Sequence, residues 1–302
     1  MNEYCIMENE DGERIDSYLA KKLDGKSRSF LQKLIKDGYV KVNDKPVKAN
    51  YRLRLGDRVE AVIPKVRKPD IVAENIPLDI LYEDKDIIVV NKPKQMVVHP
   101  APGHLSGTLV NALMYHCGEE LSGINGIMRP GIVHRIDMDT TGSLIACKND
   151  TAHQHLAKQL KEHSIYRIYE AVVHGSLPKD EGTIRTPIGR HPTDRKKMSV
   201  HTRHGREAVT HYRVLKRFKD YTYIQCRLET GRTHQIRVHM ASIGHPILGD
   251  AVYGPKKCPF PELTGQTLHA KTIGFTHPGT GKYMEIHAPL PPYFLDILDK
   301  IN

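Results

Sequence analysis

His134-Arg135-Ile136-Asp137-Met138-Asp139-Thr140-Thr141-Gly142 is the stretch from which the rest of the chain can be read. It places an acid two residues after an arginine, between the apolar run Gly131-Ile132-Val133 and a Thr-Thr-Gly segment. A strand entering through 131–133 and a tight turn leaving through 140–142 would set Asp137 on a loop at a strand end, where its side chain can project into a cleft. Alone, a His-Arg-x-Asp string is usually an ordinary loop ion pair. A second stretch changes the odds: Thr230-Gly231-Arg232-Thr233-His234-Gln235-Ile236-Arg237-Val238-His239-Met240 carries basic and polar side chains on one short segment containing Arg237. A carboxylate held between Arg135 and Arg237 stays ionised and oriented, because charge-assisted hydrogen bonds do both. Such a site can hold a phosphate-bearing substrate and attack it.

Outward from these stretches, strands and helices mix. Ile87-Ile88-Val89-Val90 reads as a buried strand stopped by Asn91-Lys92-Pro93, and Thr108 as the N-cap of a helix through Met114. Ser143–Lys148 reads as a strand and Thr151–His163 as a helix with Leu156 and Leu160 on its apolar stripe. Tyr166–Val173, Val209–Val214 and Tyr221–Leu228 are further strands, the first carrying Arg167 and Tyr169 on one face. Strand-rich order with few helices predicts an α+β fold with a mixed, mostly antiparallel central sheet.

Residues 12–64 read as a separate module. Ile15, Tyr18, Leu19 and Leu23 recur at helical spacing, Ser29 is placed to cap a helix through Asp37, and Gly38 to end it. The alternating Tyr39–Asp44 and the turn-and-strand at Leu55–Val62 follow. Its polar positions are basic, among them Arg28, Lys33, Lys36 and Lys41, which suits contact with phosphates better than a merely solvated face. Residues 65–75, rich in Lys, Arg and Pro, are expected to form a semi-extended linker, with 76–302 as a second domain.

The 302 residues carry a net charge of +10, which favours polyanionic partners. Five cysteines with no Cys-x-x-Cys pair argue against a zinc ribbon or a disulfide framework and suit a reducing cytoplasm. Met1–Glu10 is polar and acidic, unlike a signal peptide, and no apolar run is long enough to span a bilayer. Nothing marks a dimer face, so a monomer is expected.

Two resemblances follow. Ser27 to Asn43 resembles the S4-like RNA-binding domain of the alpha-L type, and that likeness covers most of 12–64. The larger part resembles the RluA/RluD family of pseudouridine synthases. The likeness rests on Asn91-Lys92-Pro93 with His99-Pro100, the 134–142 stretch, Tyr166-Arg167-Ile168-Tyr169, the 230–240 stretch, His245–Gly254, Leu268-His269-Ala270 and His277–Gly281 taken in order. It implies that Asp137 is the catalytic aspartate and that Arg237 pairs with it. It implies further that Arg135 reaches into the RNA where the target base has left the stack, and that Tyr169 lies against that base and helps proton transfer. Lys92, Arg232 and His234 are counted with the basic residues of the small module as RNA contacts. Ile136 stands where the family usually has leucine, a volume-conserving swap. The implied substrate is RNA, large-subunit (23S) ribosomal RNA or alternatively transfer RNA. Isomerising uridine to pseudouridine involves no redox change and loses no group, so no cofactor and no metal are expected.

Competing readings are weaker. Asp137-Met138-Asp139-Thr140-Thr141 matches the Asp-x-Asp-x-Thr loop of haloacid-dehalogenase-type phosphatases, but His134 and Arg135 stand where that fold needs an apolar strand. Gly279-Thr280-Gly281-Lys282 lacks the spacing of a phosphate loop and reads as a hairpin turn. The many histidines form no His-Glu-x-x-His. The basic run Arg185–Arg206 is expected to be a loop that clamps RNA phosphates.

Overall fold

The computed structural model describes residues 2–23, 28–62, 71–101, 103–118, 120–123, 129–194, 196–202 and 204–302. The chain divides into two compact units, Met1–Lys68 and Pro69–Asn302. Most of the expected linker, residues 65–70, lies outside the described residues.

In the first unit, β1 (Asn2–Cys5), α1 (Ile15–Lys22), α2 (Arg28–Lys36), β2 (Val40–Val42), β3 (Lys45–Pro46) and β4 (Arg58–Ala61) follow one another. The strands form an antiparallel sheet in the order β1-β4-β2-β3. β1 lies upstream of residue 12 and forms one edge of this sheet. The helical spacing read from the sequence is what buries Ile15, Tyr18, Leu19 and Leu23 against Leu31, Leu34, Ile35 and the sheet's Val40, Val42 and Val59. α2 begins at Arg28, so Ser29 lies inside the helix rather than capping it. Lys36 and Lys41 are exposed, whereas the side chains of Arg28 and Lys33 lie outside the described residues.

The second unit contains β5 (Ile80–Glu83), β6 (Ile87–Lys92), α3 (Leu109–Cys117), β7 (Thr141–Cys147), α4 (Asp150–Lys161), β8 (Tyr166–His174), β9 (Glu181–Arg190), β10 (Met198–Ser199), β11 (Arg206–Arg217), β12 (Tyr221–Leu228), α5 (Gln235–Ser242), β13 (Leu268–Thr276), β14 (Tyr283–His287) and α6 (Pro292–Lys300). One ten-stranded sheet runs β10-β9-β11-β12-β8-β13-β7-β6-β5, with β14 paired to β13. Every pairing is antiparallel except the short parallel contact of β13 with β7, so the expected mixed, mostly antiparallel sheet is present.

Both faces of this sheet are covered, which explains why its central strands are continuously apolar instead of alternating. Along β6, Ile88 and Val90 pack with Leu109, Val110 and Leu113 of α3 and Ile236 and Met240 of α5. Ile87 and Val89 point the other way, to Ala152 and Leu156 of α4. α6 packs its Phe294 and Ile297 with Val172 of β8. The period of two carries Tyr169 of β8 to the α3/α5 face, the face on which the site is built.

Three local expectations are corrected. Residues 131–133 are not a strand; Ile132 makes only an isolated bridge to Ala146. Gly142 is not in a turn but inside β7, at φ +107°, where a Cβ would come within 2.3 Å of the Ala270 carbonyl oxygen. Only glycine lets β13 approach β7 that closely. The basic run from Arg185 is not a loop at its start: Arg185–Arg190 belongs to β9, in register with β11, and Arg185 is ion-paired with Glu207 at 2.6 Å. Arg195 and Arg203 of that run lie outside the described residues. Gly279–Gly281 does sit in the turn between β13 and β14. Among the described residues, no helix is long and apolar enough to cross a membrane.

Two fully buried histidines, both hydrogen-bonded to residues of the sheet, make folding sensitive to acid. His239 of α5 lies between Thr186 and Thr210, and His269 of β13 is bonded to Thr141. Burial pulls each down to about 4 from an ordinary value of 6.5. An unfolded chain therefore takes up protons on these rings below pH 6.5 while the folded one does not. Stability is expected to fall as pH drops from 6.5 to 4, by up to about 1.4 kcal/mol per pH unit for each ring. Urea midpoints measured across that range would contradict this if they stayed level.

Candidate active site

The 230–240 stretch folds around Gln235, the first residue of α5. Its side-chain oxygen accepts from the Thr230 hydroxyl at 2.8 Å and from the Arg232 backbone N–H at 2.9 Å. Its amide donates to the Val209 carbonyl and to Thr210 of β11. This staple forces a sharp entry into the helix, and His234 takes the left-handed conformation at φ 56°, a strained backbone for a non-glycine residue. Arg237 then sits in the first turn of α5, buried, facing the loop before β7.

That loop carries Asp137. The Thr140 N–H closes a turn onto the Asp137 carbonyl at 3.1 Å. Arg237 Nη1 donates to Asp137 Oδ2 at 2.9 Å, joining residues 100 apart in sequence. Oδ1, the other oxygen, has His234 Nε2 at 3.8 Å, and Asp137 lines the cleft.

The expected clamp of one acid between two arginines is not what the structure contains. Arg135 is exposed, and among the described residues no ion pair joins it to Asp137. Instead one arginine lies between two acids. Arg237 Nε and Nη2 donate to Asp250 Oδ2 and Oδ1 at 2.6 and 2.9 Å, a bidentate pair with the Asp250 side chain fully buried. Asp250 Oδ1 also accepts from the backbone N–H groups of Val252 and Tyr253. Burial opposes charge on both partners, but their mutual hydrogen bonds prevail, so the Arg237 pKa is raised and that of Asp250 lowered. Tyr253 stacks on the guanidinium at 5.2 Å, and its hydroxyl lies 2.8 Å from both His234 Nδ1 and the Met198 backbone N–H. Asp250 and Tyr253 went unrecognised in the sequence. The only signal is the Gly249-Asp250-Ala251-Val252-Tyr253 string itself, which does not announce a partner.

Around Asp137 the cleft has two lobes. A narrow one of about 50 Å³ is walled by Thr140, Gln235, Ile236, Arg237 and Leu268. A wider one of about 330 Å³ is walled by Val133, His134, Leu160, His163, Arg167, Gly231 and Thr233. Arg135, Asp137, Tyr169, Leu228, Arg232 and His234 line both. Tyr169 is 8% exposed, and burial raises the pKa of its phenol, with Arg167 opposing and Asp137 adding to the effect. Burial also lowers the pKa of His234, against the pull of Asp137, so its ring is neutral near pH 7.

Lys92 requires a correction. It is fully buried, and Nζ donates to the carbonyls of Pro93, Met96 and Met138 at 2.7, 2.8 and 2.9 Å. Burial lowers its pKa to about 7, against the pull of Asp139 and Asp137. An ammonium with three carbonyl acceptors has no donor left for RNA; it ties the Asp137 loop to the end of β6. Arg232 and His234, by contrast, do face the cleft.

The family model for RNA pseudouridylate synthases matches residues 86–242, a span containing Asp137, Tyr169 and Arg237, and the S4 domain model matches 13–59. The chain belongs to the RNA pseudouridylate synthase family. Similar curated relatives include the uncharacterized RNA pseudouridine synthase YlyB of Bacillus subtilis, 54% identical over 304 aligned residues, covering 100% of this chain and 99% of the relative. Ribosomal large subunit pseudouridine synthase D of Zymomonas mobilis is 45% identical, covering 93% and 91%. Among solved structures, human RNA pseudouridylate synthase domain containing 1 shares the fold with a TM-score of 0.60 at 24% identity, covering 75% of this chain and 95% of that one. Membership in this isomerase family rules out the phosphatase reading, and the geometry agrees: among the described residues no strand leads into Asp137.

Proposed function

We propose that this pseudouridine synthase converts specific uridines of large-subunit ribosomal RNA to pseudouridine, with Asp137 as the catalytic carboxylate and no cofactor. The observation that carries this reading is the Asp137–Arg237 pair at 2.9 Å on the floor of a cleft lined by further arginines. The choice of RNA rests on relatives such as that from Zymomonas mobilis, named for the ribosomal large subunit. The same experiment that tests it also registers transfer RNA as a target.

The reaction breaks the N1–C1′ bond of uridine and rejoins the ring through C5. Because Arg237 gives Asp250 two hydrogen bonds and Asp137 only one, Asp137 is held in place while Oδ1 stays open to the substrate. An ionised carboxylate so placed serves as nucleophile or base. The base must leave the helix to reach it, at a cost of a few kcal/mol. Arg135, exposed at the rim of both lobes, is placed to fill the space vacated. Tyr169 supplies a dry wall for the swivelling ring and a phenol for proton movement at C5. The small unit, assigned to residues 12–64 with 65–75 as linker, holds RNA through its basic face. The protein acts as a monomer in the cytoplasm.

Pseudouridines mapped across total RNA from cells with and without the gene should differ at one or a few uridines of 23S ribosomal RNA. Identical maps would sink the assignment. Turnover is also expected to be unchanged in EDTA, since no step requires a metal; loss of activity restored by a divalent ion would contradict that part.

A further inference from the structure

Arg167 is a buried cation without an acid. It is 8% exposed, its Nε is closed to solvent with no hydrogen-bond partner, and Nη2 reaches only the Glu229 backbone carbonyl at 3.2 Å. Among the described residues no carboxylate pairs with it. Buried charges are ordinarily paired, because leaving one alone in the interior is costly. The guanidinium lies against Gly231: a Cβ there would come within 2.5 Å of Nη1, so the arginine would have to shift.

The neighbours sharpen the picture. Arg167 lines the wide lobe together with Arg135 and Arg232, and neither of these is ion-paired with an acid among the described residues. Arg232 Nε is bonded to the Glu207 carbonyl. His134 also lines the lobe; its Nε2 accepts from the Ile145 N–H at 3.1 Å, which leaves the ring proton on Nδ1. The one carboxylate in the lobe, Asp137, is already engaged by Arg237. Three guanidinium groups around a cavity of about 330 Å³ are matched to an anion with several acceptor oxygens, not to a neutral base.

We propose that the wide lobe is a phosphate site, in which Arg167, with Arg232, binds the RNA phosphodiester adjoining the nucleotide presented to Asp137. The choice of RNA rests on the function proposed above; the anion site does not. Because the two lobes share Asp137 and Tyr169, a phosphate seated there would fix the strand directly beside the narrow lobe and set which nucleotide enters it.

The test uses the full-length protein in phosphate-free buffer. Inorganic phosphate is titrated while the thermal midpoint is read, for the parent, Arg167→Met and Gly231→Ala. The first variant removes the charge; the second keeps it but pushes the guanidinium aside. Phosphate affinity is expected to fall about tenfold or more in Arg167→Met and measurably in Gly231→Ala. Equal responses in all three would show diffuse attraction to a basic protein and overturn the site; Gly231→Ala decides the matter should Arg167→Met not fold. In a second arm, binding of an RNA hairpin carrying the mapped uridine is followed against salt. The slope of log affinity on log salt should drop by about one in Arg167→Met, and KM for RNA should rise more than kcat falls. A phosphate difference without any pseudouridine formed would defeat the proposed function and leave the anion site standing. Pseudouridine formation without a phosphate difference would defeat the anion site alone.

Discussion

Asp137→Asn is expected to fold like the parent and to form pseudouridine at least about a thousandfold more slowly, a loss of about 4 kcal/mol of transition-state stabilisation. The amide preserves shape and one acceptor for Arg237 Nη1, and the bidentate grip of Asp250 on the same guanidinium is untouched. What disappears is the negative charge of the carboxylate that lines the cleft. Single-turnover assays with the mapped RNA, alongside circular dichroism and thermal midpoints, read the two halves of this expectation separately. Substantial turnover by a well-folded Asp137→Asn would remove Asp137 from the chemistry. A variant that simply unfolds would show the residue to be structural instead.

Asp250→Ala is expected to be the most destabilising single change at the site. It deletes both buried hydrogen bonds to Arg237 and the acceptor for the part-buried Val252 and Tyr253 N–H groups. Breaking a buried ion pair by removing one partner costs about 3–5 kcal/mol, because the other charge is left uncompensated. Urea unfolding should register a loss of that order. Activity should also fall under conditions where the variant remains folded. With Asp250 gone, Arg237 is free to turn its second N–H toward Asp137, covering the oxygen the substrate needs. A stability change below about 1 kcal/mol would mean that Arg237 does not depend on Asp250.

Much of this architecture is visible in the chain. The apolar run at Ile87–Val90, the Thr108 cap and the alternating 221–228 segment are local signals, and each became the element it suggested. Asp137 and Arg237 stand in recognisable strings, and the fold brings them together. Elements of few residues, such as β1, β5 and β10, were missed because two to four residues carry too little periodicity to count. Arg185–Arg190 was misread because outward-facing charge hid the alternation that buries Ile184 and Ile188. The error at Lys92 has a different origin. A basic residue in a basic protein reads as surface, and neither composition nor spacing tells an ammonium enclosed by three carbonyls from one in water. Asp250 escaped for a related reason: its partner is set by the path of the chain between α5 and β13, which no local pattern encodes.

The position of β13 has a consequence for when the enzyme becomes competent. In sequence it follows every other strand of the sheet except β14, yet it lies between β8 and β7. Before residues 268–276 take their place, the strands on either side form two unjoined blocks, one leading out of the Asp137 loop and the other leading toward Arg237. A nascent chain stopped short of that point would contain every catalytic group named above and still lack the seam that aligns them. The enzyme therefore becomes competent only once that sheet has closed.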